Sequence, residues 1–359
     1  GIAYDAERAA RKPIRLGMIG AGGVAQSKYF PAVARLRMIW EPIEIAAFVE
    51  PRADVADKVR AIYGGQHYTD VGALLADQAL DGVLVLSPDA LHAEHTLACL
   101  EAGLPVLVEK PIARSLSDAA RMCSASDIHD LPLMCVANKR YSPPYQRAKT
   151  LINAGKLGPL ALFSGKFNLG YDYVDLLEAG AIHLFDLALY LMGAATRVSA
   201  SGVNRHGHNA SGYPVDNVAM TLEFASGAVG SIISSASALS LKPWERVEVY
   251  GDHVWLSVED QHTLIVYDGE TEGAQSWTPV VPNTLLFDEE FGGYMGILEN
   301  FAQVIRGVEW PRVTGWDGYR AYELLTAAQL SLARRAPVAL PLKDVAAADA
   351  EARAWLGRS

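Results

Sequence analysis

The chain has 359 residues, half of them hydrophobic and a fifth charged, a composition that excludes a disordered protein and leaves ample material for a core. Its formal net charge of −10 repels phosphate backbones and argues against a nucleic-acid partner. No apolar run approaches the roughly 18 residues that a membrane span needs; residues 181–192 come nearest and are interrupted by His183 and Asp186.

In chain order, the first half alternates strands with helices. Residues 14–19 form a short apolar run ending in glycines, followed by a helical stretch over 24–35. Strands are predicted at 43–49, 82–86, 105–108 and 132–137, and helices at 52–63, 91–102 and 116–124. Strands that alternate with helices of about ten residues indicate βαβ units and a parallel sheet. The strands are apolar throughout rather than alternating, which fits a sheet covered on both faces.

After about Asn138 the pattern changes. Strands are predicted at 160–169, 196–204, 217–224, 228–234, 247–250, 255–258 and 263–267, with Ser226-Gly227 at a hairpin turn. Helices are expected at 144–154, 182–192, 294–306 and 315–333, a late strand at 338–342 and a last helix at 345–356. Locally connected strands with helices set apart predict an α+β domain with a large, mostly antiparallel open sheet. The expected division is therefore a parallel-sheet α/β domain over 14–137, an α+β domain over 138–342, and a helical tail over 343–359.

Three cysteines without a Cys-x-x-Cys spacing argue against a disulfide scaffold and a zinc knuckle, and no metal site is expected. Residues 1–13 carry no apolar stretch of a secretory signal, so the expected compartment is the cytoplasm. Asn209-Ala210-Ser211 matches the glycosylation triplet, which carries little meaning there.

Two motifs carry chemistry. Gly20-Ala21-Gly22-Gly23-Val24-Ala25 follows the first strand and opens the first helix, a G-x-G-x-x-A turn. Gly20 permits the tight bend, Gly22 admits a pyrophosphate, Ala25 keeps helix and strand close, and the helix N-terminus at Gly23-Val24 offers N–H groups to phosphate. Glu50, 28 residues after Gly22, ends the second strand. A carboxylate there accepts hydrogen bonds from ribose hydroxyls and repels a 2′-phosphate, which favours NAD over NADP. Arg52 complicates that preference, because a guanidinium can hold a phosphate or stack on adenine.

The fourth strand ends in Glu109-Lys110-Pro111. Pro111 biases Lys110 toward extended backbone at the carboxyl edge of the sheet, where open α/β folds bind ligands. With the segment from Val83 through Ser87-Pro88-Asp89 to His92, with Ala102–Pro111, Asn138-Lys139-Arg140-Tyr141, Gly180–Gly193, Asp216–Ser234 and Pro337–Pro341, the chain resembles the Gfo/Idh/MocA oxidoreductases from about Ile14 to Leu342. That resemblance implies a Rossmann domain followed by an α/β domain with a large open sheet. It also implies hydride transfer between a nicotinamide and a secondary alcohol or ketone of a sugar, cyclitol or derivative. One face of the sheet would make homo-oligomer contacts, in a dimer or tetramer.

The resemblance also assigns residues. Lys110 would sit near the nicotinamide and the reacting hydroxyl, where an ammonium stabilises a developing alkoxide. His183 would be the general base, a task that suits an imidazole because it titrates near neutrality. Ser87, Pro88 and Glu109 would stand on the cofactor side with His92, for which a structural role weighs equally. Arg140 and Tyr141 would line the substrate cleft. Lys166 and Asn168 alternate on one predicted strand and would face substrate together, although salt bridges explain them as readily. Tyr171–Tyr173 and Trp244 would stack on a sugar or pack a core or interface.

Relatives carry an aspartate four residues before the histidine, where this chain has Ala179; Glu178, Asp175, Asp172 or Tyr171 would have to compensate. That departure leaves open a glycosidase that oxidises its substrate transiently with NAD. A non-catalytic dinucleotide-binding sensor is a third alternative, opposed by the presence of both Lys110 and His183.

Overall fold

Short runs of three to seven residues set between helices, most of them predominantly apolar, build the first sheet. In the computed structural model, which describes residues 7, 10–39, 41–77, 79–168, 175–207, 212–238, 243–270, 272–279 and 292–358, these runs are β1 Ile14–Ile19, β2 Ile43–Val49, β3 Gln66–Tyr68, β4 Gly82–Val85, β5 Val106–Val108 and β6 Leu133–Cys135. They lie in the order 3-2-1-4-5-6, and every neighbouring pair is parallel. β4, β5 and β6 are buried along their whole length, as expected of strands with helices on both faces. Those helices are α1 Phe30–Met38, α2 Ala53–Tyr63, α3 Val71–Asp77, α4 His92–Glu101 and α5 Leu116–His129. β3 and α3 escape sequence patterning because both are short. Before α1 the helix runs as a π turn over Ala25–Tyr29, a local feature that periodicity does not reveal.

The second sheet is built from β7 Leu162–Asn168, β8 Ala195–Val203, β9 Asn217–Phe224, β10 Val229–Ser235, β11 Glu245–Tyr250, β12 Trp255–Glu259, β13 Thr263–Tyr267, β14 Gln275–Trp277 and β15 Val338–Ala339. Their order is 14-13-12-11-7-10-9-8-15. All pairs are antiparallel except β7 with β10. β9 and β10 form the expected hairpin, with Gly227 at φ +89° in its turn, a conformation glycine adopts at no steric cost. The predicted late strand shortens to two residues, because Pro341 has no N–H to donate to a ladder. The helices α6 Pro143–Asn153 and α7 Ile182–Met192 pack against this sheet. α7 is fed by a second π turn, Leu176–Ala181.

The chain then continues through α8 Tyr294–Ile305, α9 Gly315–Arg334 and α10 Val345–Trp355. It divides into two units, Gly1–Asn138 with Pro282–Tyr319, and Lys139–Val281 with Arg320–Ser359. This differs from the division expected from sequence in two respects. α8 belongs with the parallel sheet, where its Phe301 and Ile305 side chains crowd Gly82 and its Gln303 and the following Arg306 donate to the fully buried Glu41. Residues 343–359 are no separate tail: Arg334 of α9 pairs with Glu351 of α10 at 2.6 Å. Long-range partners of this kind leave no local periodicity to read.

Candidate active site

In the parallel sheet the strand order reverses direction at β1, the point where open α/β sheets bind ligands beyond their carboxyl ends. A cavity of about 850 Å³ opens there. Gly20 makes the turn at φ +94°, and a Cβ on it would lie 2.7 Å from the Leu86 carbonyl oxygen, so only glycine fits. A Cβ on Gly23 would meet no atom within 4 Å, which leaves open space before the helix N-terminus. Gly20, Gly22, Gly23, Val24, Glu50, Arg52, Ser87 and Pro88 all line the cavity.

The carboxylate of Glu50 is 3% exposed as a residue and heavily committed. It accepts from the Ala21 N–H at 3.3 Å, from the Arg52 backbone N–H at 3.2 Å, and from Arg52 Nε at 2.8 Å and Nη2 at 3.2 Å. Burial opposes its charge, but the Arg52 hydrogen bonds outweigh burial and hold its pKa below the ordinary value. His95, not singled out by any sequence motif, also lines the cavity. Its Nδ1 lies 2.9 Å from Ser87 Oγ, and burial lowers its pKa.

Glu109, Lys110 and His92 are not among the residues lining that cavity. Glu109 is buried and accepts from the Tyr29 hydroxyl at 2.8 Å with one oxygen and from the Lys110 backbone N–H at 2.9 Å with the other. The π turn thus delivers Tyr29 to the foot of the Lys110 turn, and burial followed by the Glu109 charge pushes the Tyr29 pKa well up. His92 is a strut. Its Nδ1 lies 2.9 Å from the Pro111 carbonyl oxygen and its Nε2 2.9 Å from the Ser87 carbonyl oxygen, so its ring links two backbone turns and is not available as a cofactor ligand.

In the second unit His183, half-buried, is the second residue of α7. Its ring lies 6.2 Å from that of Phe167, which meets Trp244 edge-on at 5.2 Å. Trp244 thus packs in an aromatic cluster. Lys139, unassigned by the sequence, is buried here. It pairs with Glu245 and sits 4.8 Å above the Phe167 ring and 5.4 Å from that of Trp244. Glu245 also accepts from the Tyr145 hydroxyl at 2.8 Å.

Three expected substrate contacts are placed otherwise. Arg140 is buried and forks onto Asp186, with Nε at 3.0 and 3.1 Å and Nη2 at 2.7 Å, so its guanidinium anchors α7 three residues past His183. Lys166 and Asn168 do share a face of β7, but Phe167 between them is the residue that meets His183. Strand alternation therefore turns both away from the histidine. Lys166 is opposite Arg246, and Asn168 borders a groove with Val203 and Ile233. Tyr141 is buried. Among the candidates to compensate for Ala179, Tyr171 and Asp172 lie outside the described residues, as do Tyr173 and the triplet at Asn209. Glu178 and Asp175 both pair with Arg358.

A doubly wound sheet with a glycine turn and an acidic strand end at its switch point, followed by an open mixed sheet, defines a dinucleotide-binding architecture. Residues 14–135 match the oxidoreductase family's NAD-binding Rossmann fold, and residues 176–340 match its C-terminal alpha/beta domain. The chain belongs to this GFO_IDH_MocA family, and its first unit is an NAD-binding domain. It is 28% identical over 343 residues to an uncharacterized oxidoreductase, YrbE, of Bacillus subtilis, covering 92% of this chain and 97% of that one. It is 27% identical over 347 residues to myo-inositol 2-dehydrogenase of Thermotoga maritima, covering 91% and 98%. Levoglucosan dehydrogenase in complex with NADH has a similar fold, with a TM-score of 0.83 at 21% identity over 92% of this chain and 100% of that one. Among the described residues no helix is long and apolar enough to cross a membrane.

Proposed function

We propose that the protein is an NAD-dependent dehydrogenase that oxidises a secondary alcohol of a sugar, cyclitol or derivative, or reduces the corresponding ketone. The dinucleotide fit carries the reading: an open cavity, a turn that only glycine can make, and a buried carboxylate at the end of β2. Gly20, Gly22, Gly23 and the following helix N-terminus would hold the pyrophosphate, and Glu50 the ribose. When bound, NAD supplies a hydride acceptor. The names of the Thermotoga and levoglucosan relatives support a polyol substrate.

In this reading Lys110 holds the reacting oxygen through its ammonium and stabilises the developing alkoxide. His183 takes the hydroxyl proton as general base. Glu109 and Tyr29 fix the backbone from which Lys110 projects, and the Arg140–Asp186 fork fixes the helix that presents His183. The exposed sheet face carrying Leu162, Val203, Val229 and Ile233 supports a homo-oligomer, which light scattering on the purified protein tests.

The enzymatic test mixes the protein and NAD with a panel of sugars and cyclitols and follows NADH. Accumulating NADH with at least one member is expected. Release of nitrophenol from a nitrophenyl glycoside without net NADH would overturn the reading in favour of a glycosidase, and NAD binding with neither activity would favour a sensor. Lys110→Ala and His183→Ala should each lower turnover by about 10²-fold or more with NAD affinity nearly intact.

A further inference from the structure

The turn that feeds α7 is the π-helical Leu176–Ala181, which begins seven residues before His183. A single π turn is a rare bonding pattern and is found at functional sites. Here it is held from 180 residues away in the chain. Arg358, three residues past the end of α10, donates from Nη1 to both oxygens of Glu178 at 2.9 and 3.0 Å, and from Nη2 to Asp175 Oδ2 at 2.9 Å. Gln329 of α9 adds a donor to Glu178 at 3.3 Å. Trp355 meets the ring of Tyr213 edge-on at 5.9 Å, so the segment carrying Arg358 is docked by packing as well as by charge.

Glu178 is 3% exposed. Burial pushes its pKa up, and Arg358 opposes that shift. A carboxylate so buried cannot lose its guanidinium partner without being left as an uncompensated charge. On the far side of His183, Asp186 is held by the fork from Arg140. Ion pairs on buried carboxylates thus stand five residues before the histidine and three after it, while Ala179 between the first pair and the helix contributes only a methyl group.

We propose that Arg358 is a positioning residue. By clamping Asp175 and Glu178 it fixes the π turn, and through that turn the direction in which α7 presents the His183 imidazole. The proposal rests on His183 being the general base. Glu178 and Asp175 then serve as anchors for the turn rather than as contacts to substrate.

The experiment compares wild type with Arg358→Ala, Arg358→Lys, the double variant Glu178→Gln/Arg358→Ala, and His183→Gln. It measures kcat and KM with NAD and the panel member that wild type turns over fastest. It also measures the nuclear Overhauser contact between the Phe167 and His183 rings in the protein without ligands. Arg358→Ala should lower kcat roughly 10- to 100-fold, the scale of a 1 Å misplacement, with KM for NAD within about twofold of wild type. The ring contact should weaken, and Arg358→Lys should restore most of both. The double variant should recover thermal stability, because no buried charge is left, without recovering kcat.

Wild-type kcat and an unchanged ring contact in Arg358→Ala would overturn the proposal, as would a double variant with fully restored kcat. Should Arg358→Ala fail to fold, Arg358→Lys and the double variant carry the same comparison. Full turnover by His183→Gln would instead remove the base assignment itself, whereas an inactive His183→Gln beside a fully active Arg358→Ala removes the clamp alone.

Discussion

Substituting Gly20 and Gly23 by alanine in turn separates the fold of the glycine loop from its service to the cofactor. At Gly20 the added methyl meets two obstacles. The backbone stays at φ +94°, where a side chain costs about 1–2 kcal/mol. Its Cβ would stand 2.7 Å from the Leu86 carbonyl oxygen and 2.8 Å from Ser87 N, and relieving such overpacking costs about 1–3 kcal/mol. The stiffer unfolded chain returns less than about 1 kcal/mol. A net loss of about 3 kcal/mol lowers the melting temperature by about 4 °C at this size. At Gly23, by contrast, the new Cβ touches nothing within 4 Å, and alanine favours the helix start by up to about 1 kcal/mol. Its methyl would enter the space proposed above for phosphate, so Gly23→Ala should keep or raise the melting temperature without ligand yet weaken NAD about fivefold or more, the effect of about 1 kcal/mol of crowding. Thermal melts without ligand, paired with calorimetric NAD titration, read both quantities. A Gly20→Ala variant that melts with wild type would refute the steric reasoning, and unaltered NAD affinity in Gly23→Ala would remove the phosphate from this turn.

Other substitutions probe the remaining contacts. Asp186→Ala removes the buried carboxylate onto which Arg140 forks, and should cost about 3–5 kcal/mol in denaturant unfolding. Tyr29→Phe removes a donor to the buried Glu109 carboxylate and should cost about 1.5–3 kcal/mol by the same measurement. Glu50→Ala should weaken NAD binding and narrow its advantage over NADP, as direct titration of both cofactors will register. Because the Glu50 pKa is lowered in the folded protein from the ordinary 4.5, its contribution to stability is present above that value and is lost as pH falls through the folded pKa. Glu50→Gln should therefore show a flatter acid limb below about pH 4.5 when melting temperature is plotted against pH.

Much of this molecule is legible in its order of residues. Runs such as Ile14–Ile19 and Ile43–Val49 are apolar but for one charged residue each, Arg15 and Glu44, and both appear with the bounds expected. The glycine turn and Glu50 are legible because their chemistry depends on neighbours close in sequence. What escapes is pairing at a distance. Arg140 reads as a cleft residue until Asp186, 46 positions away, claims it. Lys139 reads as one basic residue among several until Glu245 and two aromatic rings enclose it. Arg358 carries no local signature at all. Lys166 and Asn168 illustrate a different failure: alternation correctly puts them on one side of a strand, but periodicity has no means of saying which side faces the histidine.

The return of α8 to the parallel sheet bears on how this gene can be cut. A fragment ending at residue 138 would look like a self-sufficient nucleotide cassette, yet it would strip Glu41, fully enclosed, of the amide and guanidinium that Gln303 and Arg306 lend it, and would bare the apolar floor beneath Gly82. Swapping nucleotide halves between relatives of this enzyme therefore calls for two splices, not one.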